Sequence, residues 1–371
     1  MNVVVRLRTT TPGQYSWEES FRLPPSTLVR HPTTHMYGLV EYARMVADGV
    51  RMSAYAGALA SAVKPGSVVV DIGAGTGIFS LMACKLGARR VFAIELADVL
   101  GAARELAREN EVDERIVFLK ADSRTIELPE RADVIVSDLR GSLPFHQDHL
   151  EIIADARARF LVPGGVLIPE RDVLWAAVAE SAQLYEDHMG PPSAPHGVTL
   201  NSALARLRNL HSYQREAGSA DQLLVEPAAW TELVYRSARS EPSAGKMEWI
   251  VRRDGTAHGV LVWFEAILGP GWGYSTAPGV KTVYPRTFLP FERPLPVVRG
   301  DALALELWVG PRGEPFSWNT TLQSNDGQVR YKGRQSSFLG APAPPFRLAR
   351  PQVAETPSAV GRDGLCEERE A

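Results

Sequence analysis

Residues 68–77 read VVVDIGAGTG, and this stretch restricts the fold of the chain more than any other. The β-branched run before Asp71 suits a buried strand. Gly73, Gly75 and Gly77 then free the backbone to turn sharply and let a ligand lie against it. The segment IFSLMACKLGA continues as a helix, and a second strand, RVFAI, closes on Glu95. Strands fit 67–72, 90–95, 115–120 and 132–137, with helical segments at 77–87 and 97–110. Such alternation predicts an α/β fold with a parallel, doubly wound sheet. VPGGVLIPE (162–170) reads as a turn into one more strand.

At 371 residues the chain is long enough for two domains. Residues 1–34 form an extension with weak strand-like alternation (Val3, Val5, Leu7). Residues 35–62 carry a helical pattern, with Met45, Val46, Val50, Met52, Tyr55 and Leu59 at three- and four-residue spacings. The Rossmann-like domain then spans 35–169. Beyond it the texture changes: AHGVLVWFEAIL, FERPLPVV and DALALELWV are short strands split by Gly, Pro and Asp. They predict an antiparallel second domain over 170–340, interrupted by a polar, partly helical stretch at 183–215. Residues 341–371 begin APAPP and end in charged residues, which reads as a disordered tail.

Composition narrows the function classes. A net charge of −3 gives no global field for nucleic acid or membrane. The two cysteines, Cys84 and Cys366, are too far apart to suggest a disulfide framework or a metal site. The absence of a long apolar run or a charged-then-apolar leader sets a soluble, cytosolic protein as the expectation.

The glycine spacing is G-x-G-x-G rather than the G-x-G-x-x-G of a dinucleotide fingerprint. Glu95 lies 18 residues beyond Gly77, at the end of strand two, where a ribose-binding carboxylate belongs. Together these point to S-adenosylmethionine (SAM), which has no pyrophosphate and brings an amino acid and a ribose. An acceptor-only carboxylate at Glu95 can hold both ribose hydroxyls. Asp122, followed by Ser123, follows the third strand and can accept from the adenine amino group, or it can cap the turn that follows. Asp71 can stabilise the turn, contact the methionine amino group, or both.

With the preceding helix included, the chain resembles the protein arginine methyltransferases. The resemblance is carried by MVADGVRMSAY, VVVDIGAGTGIFS, VFAIE, SDLRGSLPFHQDHL and VPGGVLIPE, and more loosely by the strands of the second half. It implies a SAM domain followed by a β-barrel-like domain with a helical dimerisation arm at about 183–215, and a head-to-tail homodimer. It further implies that Arg51 holds the SAM carboxylate and that Met45 lies near the reactive methyl.

The acceptor loops depart from the family. Its members carry two glutamates that grip a guanidinium fork; the matching positions here are Asp138 and Gln147. Asp148, next in the chain, offers itself as a substitute for the lost charge. The family's Thr-His-Trp loop falls at Thr282, Val283 and Tyr284, so Tyr284 is a candidate wall of the acceptor pocket. Without the second carboxylate, a neutral acceptor becomes conceivable, and that chemistry needs a base. His146, His149 and Asp138 are the candidates. Three readings follow: methyl transfer to a protein or peptide arginine, transfer to a non-guanidine nitrogen or oxygen in a peptide or small molecule, and a SAM-binding scaffold without activity.

Overall fold

The computed structural model describes residues 8–11, 14–16, 38–190 and 195–338. Residues 1–37 form a unit of their own, in which β1 (Arg8–Thr11) pairs antiparallel with β2 (Gln14–Ser16). The expected alternation at Val3, Val5 and Leu7, and the tail at 341–371, lie outside the described residues.

The helical stretch expected over 35–62 is two helices, α1 (Leu39–Ala47) and α2 (Gly49–Ala62). The break comes at Asp48, whose extended backbone (φ −73°, ψ 91°) ends one helix and whose carboxylate caps the next by accepting from Arg51 N at 3.0 Å. Next come β3 (Val68–Ile72), α3 (Ile78–Lys85), β4 (Arg90–Glu95), α4 (Leu100–Glu109), β5 (Ile116–Lys120), β6 (Ala132–Ser137), α5 (His149–Phe160) and β7 (Leu161–Ile168). The five strands form a parallel sheet in the order β5-β4-β3-β6-β7. β3 is buried along its whole length, as a central strand covered on both faces must be. Strand order reverses at β3, so the carboxyl ends of β3 and β6 frame the crevice where doubly wound sheets bind ligands.

The second half is antiparallel. β8 (Arg171–Ala179), β9 (Ser212–Gln214), β10 (Ala228–Val234), β12 (Gly255–Gly269), β13 (Trp272–Ser275) and β14 (Arg286–Val297) make one sheet. β11 (Ser243–Ile250), β15 (Ala302–Val309), β16 (Phe316–Gln323) and β17 (Val329–Ser336) make another, with inward residues alternating strictly along β15 and β16. Among the described residues no strand pairing closes the two sheets into a barrel. Trp318 of β16 bridges them, donating its indole N–H to Pro290 O at 3.1 Å. The helical interruption consists of α6 (Ala182–Met189) and α7 (Asn201–Leu207). One continuous apolar core runs from the parallel sheet through Tyr55 and Leu59 of α2 into β8, β12 and β14.

Candidate active site

Gly73, Gly75 and Gly77 all have left-handed backbones, with φ of 72°, 54° and 77°. A Cβ on Gly75 would come within 2.4 Å of the Tyr42 ring, so the turn is closely roofed by α1. The turn is also tied to the end of β4: Gly73 N and Ala74 N donate to Ile94 O at 2.9 and 3.0 Å. Glu95 accepts from Gly75 N through Oε2 and from Ala97 N through Oε1, both at 2.9 Å. Each oxygen of a carboxylate keeps a further acceptor site, so ribose hydroxyls can still be held there.

Asp71 is fully buried below the turn. Its Oδ2 accepts from Ser80 N at 3.0 Å and Ser80 Oγ at 2.7 Å, which caps α3, whereas Oδ1 is buried with no partner. Burial pushes the carboxyl up to about 7, against the Ser80 hydrogen bonds. Asp122 takes the capping role: it accepts from Arg124 N at 3.0 Å, and both its oxygens receive the Arg124 guanidinium. Ser123 is buried, and its hydroxyl is without a partner.

Arg51 and Asp138 meet at the mouth of the crevice. Arg51 Nε donates to Asp138 Oδ2 at 2.6 Å, and Nη1 donates to Met45 O at 3.1 Å. Met45 thus contributes its carbonyl. The guanidinium lies 5.3 and 5.2 Å from the Tyr55 and Phe79 ring centres, and Phe79 is on the first turn of α3, next to the glycines. Burial is the largest single influence and lowers its pKa, but Asp138 together with Tyr284, Tyr55 and Tyr274 outweighs this and raises it. Burial alone would raise Asp138; Arg51 and Arg140 reverse this and hold it at about 2. Tyr284 also donates to Asp138 Oδ2, its ring stacked on Tyr274 at 6.1 Å. Tyr284 is therefore both packed into the aromatic core and part of the site.

The rest of the acceptor hairpin corrects the expectations. Gln147 is exposed, with φ 48°, and no bond joins it to Asp138 among the described residues. Asp148 does not replace the missing carboxylate, because Arg124 and Arg312 bind it at 2.9 and 3.0 Å. His146 is exposed and lies against Gly141, where φ is 64° and a Cβ would sit 2.7 Å from the imidazole. His149 is 1% exposed, hydrogen-bonded through Nε2 to Tyr235 OH at 2.9 Å, and burial holds its pKa at about 3. It is a neutral imidazole set behind the site, not a base facing an acceptor.

Sequence reasoning missed the residues that hold this hairpin. Tyr235 donates to Asp172 Oδ2, and Arg140 donates to Asp172 Oδ1 at 2.8 Å. Arg140 also donates to the hydroxyls of Tyr55 (2.6 Å) and Tyr274 (2.8 Å). Arg140 stood in the quoted segment, but nothing in the linear pattern joins it to partners on α2, β8 and β13. Among the described residues no group of His, Cys, Asp and Glu could hold a metal ion, and no helix is long and apolar enough to cross a membrane.

A doubly wound sheet with a glycine turn and a ribose-type carboxylate at its switch point defines the class I methyltransferase architecture. A family model described as ribosomal protein L11 methyltransferase matches residues 31–168. The chain is 30% identical over 275 residues to the probable histone-arginine methyltransferase CARM1 of Oryza sativa subsp. indica, covering 67% of this chain and 50% of that protein. It is 38% identical over 135 residues to the protein arginine N-methyltransferase 6 of Danio rerio, covering 36% and 39%. The chain thus spans about half the length of the first of these relatives. Among solved structures, the Trypanosoma brucei PRMT1 enzyme-prozyme heterotetrameric complex with AdoHcy matches at a TM-score of 0.71 with 19% identity, over 81% of this chain and 98% of that one. Arabidopsis thaliana protein arginine methyltransferase 10 matches at 0.70 with 22% identity, over 81% and 98%. In sequence and in fold the chain is protein arginine methyltransferase-like.

Proposed function

We propose that this protein transfers the methyl group of SAM to arginine side chains of proteins or peptides. The observation that carries this is the meeting of Arg51 and Asp138 beside the glycine turn, where cofactor-side and acceptor-side groups share one hydrogen bond. The residues fit the cofactor. The turn offers a close backbone approach, Glu95 offers free acceptor sites, and Arg51 offers a fixed cation beside Phe79. Asp71, held at about 7 by burial, keeps one oxygen unpaired below the turn. When bound, SAM supplies an electrophilic methyl on a sulfonium. The chain supplies placement: most of the acceleration in such an in-line transfer comes from holding donor and acceptor at near-attack distance. Asp138, ionised at neutral pH, is the one carboxylate of the hairpin bonded to Arg51 and so set beside the cofactor turn.

A neutral acceptor is the second reading. Asp138 is already engaged by Arg51, Arg140 and Tyr284, and Gln147 brings no charge. Incubation with radiolabelled SAM and host lysate, followed by mass spectrometry, separates the two. Labelled arginine supports the first reading; label confined to other residues or small molecules overturns it. Glu95→Ala should weaken binding of S-adenosylhomocysteine (SAH) on the order of tenfold or more by calorimetry, as loss of charged hydrogen bonds implies. Wild-type affinity in that variant would remove the ribose role.

We also read the molecule as a head-to-tail homodimer, α6 and α7 of one copy reaching the α1 side of the next. Leu39, Val40, Val46 and Val50 leave exposed apolar surface on and just after α1, which supports that arrangement.

A further inference from the structure

Arg140 has the most completely satisfied charged side chain in the site, though neither the sequence pattern nor the functional reading gives it a task. Its guanidinium is fully buried. Nη1 donates to Asp172 Oδ1 at 2.8 Å and Nε to Asp138 Oδ1 at 3.2 Å. Nη2 donates to Tyr55 OH at 2.6 Å and Tyr274 OH at 2.8 Å, and the Phe264 ring centre lies 5.3 Å from Cζ. Two carboxylates and two hydroxyls take four of the five N–H donors and, with an aromatic face, make a receptor for a guanidinium, filled here by the chain's own arginine.

The receptor walls come from α2, the loop after β6, β8, β12 and β13, so the planar fork joins the cofactor domain to the strands of the second. A purely structural ion pair would need only Asp172. The bond from Nε goes instead to Asp138 Oδ1, which leaves Oδ2 turned toward Arg51 and Tyr284. We propose that Arg140 is a positioning residue of the methyl-transfer site, fixing the Asp138 carboxylate and through it the Arg51 guanidinium beside the glycine turn. The inference rests on the functional reading above. A lysine in its place could meet one carboxylate as a point charge but could not reach both while also serving two hydroxyls.

The test is SAH calorimetry and thermal melting on the full chain, wild type against Arg140→Ala and Arg140→Lys. In Arg140→Ala, SAH affinity should fall on the order of tenfold. Millimolar methylguanidinium should refill the receptor and restore affinity, whereas sodium chloride at the same ionic strength should not. In Arg140→Lys, affinity should fall while melting drops less than in Arg140→Ala, since one carboxylate keeps a cation, which keeps the test open if the alanine variant does not fold. Three results overturn the inference: wild-type affinity in Arg140→Ala, wild-type affinity in Arg140→Lys, or methylguanidinium that raises the melting temperature and leaves affinity unchanged. Absence of SAH binding by the wild type overturns the functional reading and this inference with it, and so is distinguishable from failure of the inference alone.

Discussion

At the scale of single residues, buried ionisable groups decide how the molecule responds to pH. Asp71 has its carboxyl raised to about 7 by burial, so the folded state holds its proton where the unfolded chain, near 3.8, has lost it. Stability from this residue therefore falls as pH rises through that window. His149 acts in the opposite sense. Its pKa drops from 6.5 to about 3 by burial, so its neutral form favours the fold at high pH and this contribution is lost as pH falls from 6.5 through 3. The two offset each other over much of the acid range, so a wild-type melting curve against pH hides both. Asp71→Asn removes one of them. Its melting temperature relative to wild type should climb as pH is raised from about 4 to 8. A difference that stays level across the range would rule out a raised carboxyl at this position. The sequence placed Asp71 at the end of the strand, but its protonation follows from burial, which only the packed sheet supplies.

At the scale of elements, α2 is the part that joins cofactor turn, acceptor loop and second domain. Its N-cap, Asp48, accepts from Arg51 N with one oxygen and from Val283 N at 2.7 Å with the other. Further along, Gly57 faces Trp272 at the start of β13, and a Cβ on Gly57 would stand 2.2 Å from the indole ring. The indole also donates to Ser61 Oγ at 2.9 Å, which holds the ring flat on the helix. Gly57→Ala should therefore destabilise the protein by about 1–3 kcal/mol through overpacking, despite alanine's better helix propensity. Trp272→Ala should absorb the clash, so that in denaturant unfolding the double variant loses less stability than the two single losses added together. Strict additivity would mean that the glycine is not required by this contact. The helical pattern over 35–62 was readable from apolar spacing. Its division at Asp48 was not, because an aspartate inside an apolar repeat is also an ordinary solvated helix residue.

At the scale of the whole molecule, the exposed apolar surface around α1 asks for a partner, and the proposed homodimer gives it one. Light scattering after size exclusion should report twice the mass of the chain. Val46→Glu, which sets a charge on that surface, should shift the protein to monomer with little change in melting temperature, since Val46 is 41% exposed. A monomeric wild type, or a dimer indifferent to that substitution, would place the contact elsewhere.

The strands of the parallel sheet, the glycine turn and the carboxylate at Glu95 were all legible in the chain, because each is local. A strand, a left-handed glycine and a residue at a strand end are set by neighbours in sequence, and the bounds of β4 and β6 match the expected ones to the residue. The acceptor side was legible only as a list of residue types. Whether Gln147 and His149 face a substrate depends on a hairpin whose direction is set by Arg140, Asp172 and Tyr235, and Asp172 and Tyr235 lie in distant segments. Tertiary structure alone turned Gln147 outward, placed His149 behind Tyr235 and engaged Asp148 with two arginines. The same packing left Asp138 to work with a guanidinium on either side, because a buried carboxylate stays ionised where nearby cations and hydrogen bonds favour its charged form.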